Sequence, residues 1–417
     1  MRTPLGSPFS PGSDTVPAVW AGRTAQLADW RDVLRPRRVA GIHERGRTVL
    51  GEAGTGKSAL VRRIAQDAIE HGDWVTPQIR IPVGGDPLVR LAAELLSLAD
   101  RAGLAAAREH RIGALLRRVE TVAASGVSVS LRDVVVPEAY TALSGLLVEI
   151  GRAALRLGDT MVLIHVDEVQ NVTDDAQRSQ LLVALGDALA HEERVEIPGG
   201  LALDRALPIA VYLTGLPEFA DMVGARTGAT FARRFQTVTL DAIGDSDLTL
   251  ALQPFVLEGW DIMGSDDEPG RVLMEPAAQR AIARLSHGEP FLFQLAGERA
   301  WYADASDLIT EEHVLSGWSS AATEAEAHVQ RILERLPARE REFVDAMAQV
   351  EPGGRTLTAI ARAMGYDKAS AAGPTSQRLD GVRGIIERGK EYRFRNRAVE
   401  AYLSSDWPFE APAPGEV

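Results

Sequence analysis

The chain of 417 residues contains no cysteine, and only three of its 45 basic residues are lysine. The first absence excludes disulfides and every Cys-ligated zinc or iron–sulfur centre, and it fits a reducing compartment. No run approaches the ~18 apolar residues that a membrane-spanning helix needs. The opening MRTPLGSPFSPGSDTVPAV is rich in Pro, Gly and Ser and lacks the apolar core of a secretory signal. The expectation is a cytoplasmic protein of two or three domains with no membrane contact. Residues 1–19 are expected to be a flexible lead and residues 404–417 a flexible tail. A net charge of −13 argues against a surface coated in nucleic acid. It leaves room for a local basic patch, and Arg355 to Arg397 carries ten basic residues against four acidic ones.

The scarcity of lysine makes the first one informative. Lys57 stands in GEAGTGKSAL, Gly51 to Leu60, which matches G-x-x-x-x-G-K-[ST]. Gly51, Gly54 and Gly56 let the backbone turn tightly, so the N–H groups of Ala53, Gly54, Thr55, Gly56, Lys57, Ser58 and Ala59 can point at phosphate oxygens. A helix starting at Lys57 adds the positive end of its dipole. A compact ammonium fits between β- and γ-phosphates where a planar guanidinium fits poorly, which accounts for a lysine in an arginine-rich chain. The Ser58 hydroxyl is a natural Mg²⁺ ligand. Thr48-Val49-Leu50 is a short β-like run before the loop. Leu60, Val61, Ile64, Ala65, Ala68 and Ile69 recur at helical spacing after it.

Hydrolysis also requires a metal-holding acid and a group that activates water. Met161 to Val166 is a continuous apolar run of the kind found in buried parallel strands, and it ends in Asp167-Glu168. Open α/β sheets bind ligands at that end of their strands. Asp167 is the candidate metal ligand and Glu168 the candidate for orienting water, while His165 reads as a packed core residue. A third buried run, Ile209 to Leu213, ends at Thr214, which either contacts the γ-phosphate or lytic water or caps the turn. Arg233 and Arg234 precede the β-like run Gln236 to Leu240. They suit a finger reaching a neighbouring subunit's γ-phosphate, with a surface ion pair as the plain alternative.

This order of elements resembles the AAA+ ATPases. Within them it is similar to the origin-recognition and Cdc-type initiators, STAND-type switch ATPases and transposon-associated ATPases. The resemblance covers roughly Trp20 to Leu403 and is most specific at GEAGTGKS, VDEVQN and the order strand–TGLP–RRF. It implies an α/β parallel-sheet core over 20–242, a helical lid over 243–322 and a winged-helix domain over 323–403. Trp20 to Leu27 is similar to the N-terminal box of the family, which implies Gly22 and Arg23 near the adenine. Gly288 to Leu295 is similar to the G-x-P segment, which implies Pro290 near the base. The implied activity is Mg²⁺-dependent ATP hydrolysis, with self-association through the arginine finger. One departure stands out: where initiators carry a second sensor arginine, this lid offers Gln294 or Leu295, and Arg299 is the nearest arginine. That leaves the hydrolysis rate open, a slow one included.

Between the loop and the acid pair, helices are expected from Pro87 to Gly103, Arg108 to Ala124 and Tyr140 to Leu157, with an edge strand or hairpin at Val127 to Leu131. At the C-terminal end four helices are expected over 324–336, 339–350, 357–364 and 374–385. A hairpin follows around Gly389. Ser376, Gln377, Arg378 and Arg383 would sit on a recognition helix, with Arg388, Lys390, Arg393 and Arg395 on the wing. Such a patch suits duplex DNA phosphates, or else docks a protein or clamps the chain's own acidic core. Two outputs therefore stay open: a DNA-associated switch or motor, or a signalling or defence switch whose partner is a protein.

Overall fold

A computed structural model of the protein describes residues 2–12, 15–104, 139–197, 201–224, 233–263 and 269–409. Phe231 and Ala232, the expected helix at Arg108 to Ala124 and the expected strand at Val127 to Leu131 lie outside them. The chain divides into two compact units: residues 24–50 with 60–239, and residues 1–23 with 51–59 and 240–417.

The first unit is built on a parallel sheet. Its strands are β1 (Gly46–Leu50), β2 (Trp74–Val75), β3 (Ile79–Arg80), β4 (Val162–Asp167), β7 (Ile209–Gly215) and β8 (Phe235–Thr239), in the order β2-β4-β7-β1-β8 with β3 also on β4. Helix α1 (Lys57–Glu70) follows the loop after β1. Helices α2 (Pro87–Arg101), α3 (Ala139–Leu157) and α4 (Asp175–Ala190) complete the layer work. Alternate residues of β4 and β7, Val162, Ile164, Val166, Ile209, Val211 and Leu213, join one apolar core with Leu91, Leu146 and Leu185 of those helices. Both central strands are buried along their whole length, which is why their sequences read as unbroken apolar runs. β1 begins at Gly46, inside the polar Arg45-Gly46-Arg47, and is also wholly buried. Arg47 is admitted because its guanidinium pairs with both Asp29 oxygens at 2.7 and 2.9 Å. A hairpin of β5 (Glu192–Ile197) and β6 (Leu201–Ala206) was not foreseen, because its sequence shows no clean apolar alternation.

The second unit is mostly helical: α5 (Asp245–Leu257), α6 (Pro276–Ser286), α7 (Pro290–Tyr302), α8 (Glu311–Glu334), α9 (Ala338–Ala348), α10 (Leu357–Ala363), α11 (Gly373–Gly381) and α12 (Arg397–Ser404). The structure differs from three segment limits expected from the sequence and adds strands to the lid span. Within the span of the expected helical lid, β9 (Trp260–Met263), β10 (Pro269–Met274) and β11 (Leu308–Ile309) form a small sheet. No break separates lid and C-terminal module at 322/323, because α8 runs straight through and one apolar core joins Leu252, Phe293, Val329, Phe343 and Val399. Thr310 and His313 start that helix with reciprocal 3.2 Å side-chain-to-backbone bonds. The N-terminal lead packs: Phe9 stacks on Phe255 at 5.8 Å and Trp301 Nε1 donates to Thr3 O at 2.9 Å. The start of the tail packs too, with Trp407 buried against His287 and Trp318. In both segments a single large aromatic outweighs a Pro/Gly/Ser-rich composition. After α11 come β12 (Ile386–Glu387) and β13 (Arg393–Phe394), paired antiparallel.

Candidate active site

The loop after β1 belongs to the second unit. Gly54 and Gly56 sit at φ +86 and +83, where any side chain is strained. Lys57 Nζ reaches back across the loop and donates to Gly51 O and Glu52 O, both at 2.9 Å. Thr55 Oγ1 donates to Glu52 O at 2.8 Å. Arg23, itself left-handed at φ +64 beside Gly22 at φ +62, donates to Thr55 O at 3.0 Å and to Asp241 O at 2.8 Å. Pro290, at the start of α7, lies 3.7 Å from where a Gly56 Cβ would be, and the Phe291 N–H donates to Gly54 O at 3.3 Å. The fold therefore gathers Gly22, Arg23, Gly51, Gly54, Thr55, Gly56, Lys57 and Pro290 into one place. Ala53 is exposed, and Ser58 and Ala59 are half-buried at the first turn of α1.

Three residues beside the loop escaped the sequence reading. Glu289 is 2 % exposed, and burial pushes its carboxyl up to about 7 against the pull of Arg23. Arg335, just past α8, forms an ion pair with Glu52, the second residue of the loop. His328, on the same face two turns earlier, lies against Gly54. Only the spacing of seven between His328 and Arg335 hinted at a shared face.

In the first unit, Asp167 ends β4 one position beyond the Val166–Leu213 register pair, and Leu50 ends β1 opposite Gly215. Asp167, Thr214 and the last residue of β1 thus share the carboxyl edge of the sheet. Thr214 Oγ1 and Gln78 Nε2 both donate to Asp167, as does the Glu168 N–H at 2.9 Å. Burial works against its charge, but His165 and these three donors hold the Asp167 carboxyl below its ordinary range. Gln78 is in turn held by Arg62 of α1, which donates to its amide oxygen at 2.6 and 2.8 Å. Glu168 sits at φ +58 and accepts from Gln170, whose oxygen takes the Leu216 N–H at 3.0 Å. A Cβ on Gly215, the last residue of β7, would fall 2.8 Å from that Gln170 oxygen, so a side chain there would displace Gln170. His165 is buried, as its alternation in the strand predicts, yet its Nε2 lies 2.8 Å from Thr214 Oγ1.

The remaining candidates divide. Arg234 pairs with Asp187 at 2.7 Å, and Arg233 is exposed. Of the expected DNA contacts, Arg383 is 8 % exposed and shares Glu340 with Arg378, each at 2.9 Å, while Arg395 pairs with Asp380 at 2.8 Å. Ser376 is fully buried. Acids on neighbouring elements thus pair three of the six, but only Arg383 is buried: Arg378 stays exposed and Arg395 half-buried. Arg388, Lys390 and Arg393 remain exposed on the hairpin.

No family model and no curated protein matches this sequence. Solved structures do. The Walker-type ATPase PABY2304 of Pyrococcus abyssi is similar over 92% of this chain and 96% of its own, with 14% identity and a TM-score of 0.52. The chain shares the fold of that protein. The ORC1 protein of Aeropyrum pernix, solved in complex with DNA, matches over 94% of both chains at 18% identity and a TM-score of 0.40. Cdc6p from Pyrobaculum aerophilum matches over 95% of this chain and 96% of its own, at 14% identity and a TM-score of 0.44.

The three residues at the place where the sequence resemblance implies a second sensor arginine all have other partners. Gln294 is spent on structure, donating to Val19 O at 2.8 Å and accepting from Ser10 N at 3.1 Å. Leu295 is core, and Arg299 pairs with Glu324 at 3.0 Å. Among the described residues no group of three acids or histidines is placed to hold a metal ion by itself. Mg²⁺ needs none, since it keeps several waters and takes one or two carboxylates with phosphate oxygens. The ionised Asp167 is a hard-oxygen donor of that kind. No helix among the described residues is long and apolar enough to cross a membrane.

Proposed function

We propose that the protein binds ATP with Mg²⁺ and hydrolyses it, using the bound-nucleotide state as a switch. The observation that carries this reading is the Lys57 ammonium bridging Gly51 O and Glu52 O at 2.9 Å. That brace ties the lysine side chain back across the loop and keeps its positive charge there. In this reading the N–H groups of residues 53–59 and Lys57 hold the phosphates, and Gly22, Arg23 and Pro290 border the base. Ser58 and Asp167 are the metal's protein oxygens, Mg²⁺ screening the phosphate charge when bound. Glu168 orients or deprotonates water, aimed by Gln170. Thr214 fixes the Asp167 carboxylate and the lytic water, and Arg233 or Arg234 reaches a neighbouring copy.

The output we favour is contact with duplex DNA phosphates through Arg388, Lys390 and Arg393 at the hairpin tip. The pairing of Arg378, Arg383 and Arg395 with the chain's own acids supports the second reading, a switch whose output is a protein partner. Turnover of Mg²⁺-ATP, measured with and without DNA, tests both. Lys57→Ala should abolish nucleotide binding and Glu168→Gln should retain binding while losing turnover. Full nucleotide affinity in Lys57→Ala would remove the assignment. Absence of DNA binding at low salt in every nucleotide state would leave only the protein-partner output.

A further inference from the structure

The loop is touched from the C-terminal side by a helix the nucleotide assignment does not use. His328 of α8 is 6 % exposed, and its ring stacks on Phe291 at 4.7 Å and 29°. Phe291 is itself tied to the loop through its N–H on Gly54 O. The imidazole lies so close to Gly54 that a Cβ there would fall 2.4 Å from its Cε1 and 3.2 Å from its Nε2. That Nε2 is buried and makes no hydrogen bond among the described residues. A buried ring nitrogen left in this way costs free energy unless something else satisfies it. Seven residues on, Arg335 holds Glu52 in an ion pair. One face of one helix therefore brings an unpartnered polar atom and a guanidinium to the first half of the loop.

We propose that His328 and Arg335 contact the outermost phosphate of the bound nucleotide, supplying from α8 the sensing that Gln294, Leu295 and Arg299 do not supply from the lid. This rests on reading Gly51–Ser58 as the phosphate loop. The N–H groups at the start of α1 attract the inner phosphates. A group seated at Glu52 and Gly54 is thus placed for the outer one. Burial and the nearby Arg331 and Arg335 hold the imidazole at about 4, so it is neutral at neutral pH and has one N–H to donate. Arg335 exchanges its partner: the added charge of a third phosphate competes with Glu52 for the guanidinium. Triphosphate and diphosphate then differ in how firmly α8, and the helices that continue from it, are tied to the loop.

The test is the affinity of the full chain for Mg²⁺ with a non-hydrolysable ATP analogue and for Mg²⁺-ADP. His328→Ala and Arg335→Ala should each weaken the triphosphate about tenfold, the lower end for a hydrogen bond to a charged group. ADP affinity should change less than about twofold, and His328→Gln, which keeps an N–H, should recover most of the loss. A merely structural role would lower both affinities together. Unchanged affinity in Lys57→Ala sinks the phosphate-loop reading and this proposal with it. Loss of binding in Lys57→Ala, with the triphosphate-to-diphosphate ratio unmoved in the α8 variants, overturns this proposal alone. If His328→Ala does not fold, the Arg335→Ala ratio and the ¹⁵N resonance of His328 decide. That resonance should shift with the triphosphate analogue and not with ADP, and no shift overturns the contact.

Discussion

Thr214 Oγ1 donates to Asp167 and also lies 2.8 Å from His165 Nε2. A hydroxyl has one hydrogen, so the proton between Thr214 and His165 belongs to the imidazole. His165 is therefore the Nε2–H tautomer, and burial keeps it neutral, near 4. The three residues form a directed chain ending on the metal-ligand candidate. Thr214→Val should remove a donor to Asp167 and leave the His165 N–H unpaired in the core. We expect a loss of about 1–3 kcal/mol in urea unfolding. Turnover should fall at least about tenfold with little change in nucleotide affinity, and Thr214→Ser should restore most of it. Equal turnover in the valine variant would confine Thr214 to packing.

Glu289 has a folded-state value of about 7, above the ordinary 4.5, with burial as the leading cause. Its contribution to stability is fully present below about 4.5 and is lost as pH rises through about 7. Glu289→Gln should therefore stabilise the fold at pH 8, by roughly 1–3 kcal/mol, and do little at pH 5. His165, His287 and His328 act in the opposite sense. Each is held near 4 by burial, below the usual 6.5, so each disfavours the fold as pH drops from 6.5 toward 4. Chemical denaturation of wild type and Glu289→Gln at pH 5, 6.5 and 8 checks the sign. A gap between the two that narrows toward pH 8 would contradict it.

The glycine-rich turn before α1, the central strands and the place of Asp167 at a strand end were legible because each rests on a local pattern: glycine spacing, an unbroken apolar run, a carboxylate after it. Arg47 and Gln78 were not legible, because their value lies in partners distant in sequence, Asp29 and Asp167. The same reason hid the Arg335–Glu52 pair. The basic C-terminal stretch shows the same limit. Counting arginines over 355–397 gives a patch, but Glu340, 38 residues before Arg378, absorbs two of them.

That absorption predicts a division of labour within the patch. Glu340 is 3 % exposed, so Arg383→Ala leaves a buried carboxylate with half its partners. We expect about 3 kcal/mol of destabilisation, the cost typical of breaking a buried ion pair. Arg388→Ala, Lys390→Ala and Arg393→Ala, at exposed positions, should leave the unfolding midpoint unchanged. If the hairpin meets DNA, that triple variant should weaken binding and flatten its salt dependence by about three phosphate contacts. Unfolding curves and salt titrations of DNA binding separate the two groups.

Arg234 and Asp187 are each about a third or more exposed, and such a pair contributes less than about 1 kcal/mol. Holding Arg234 in place is therefore a weak reason for its presence, and exchanging Asp187 for a neighbour's phosphate is cheap. A finger acting between copies has a distinctive consequence. Arg233→Ala/Arg234→Ala retains its own Glu168, and Glu168→Gln retains its own arginines. Each alone should turn over ATP at least about tenfold more slowly than wild type, within the range for losing either group. Mixed, they form some interfaces with an intact acid on one side and intact arginines on the other. Turnover should then rise above that of either variant, and more so at higher protein concentration. No recovery at any ratio or concentration would place both arginines outside the reaction and leave Arg234 as the partner of Asp187.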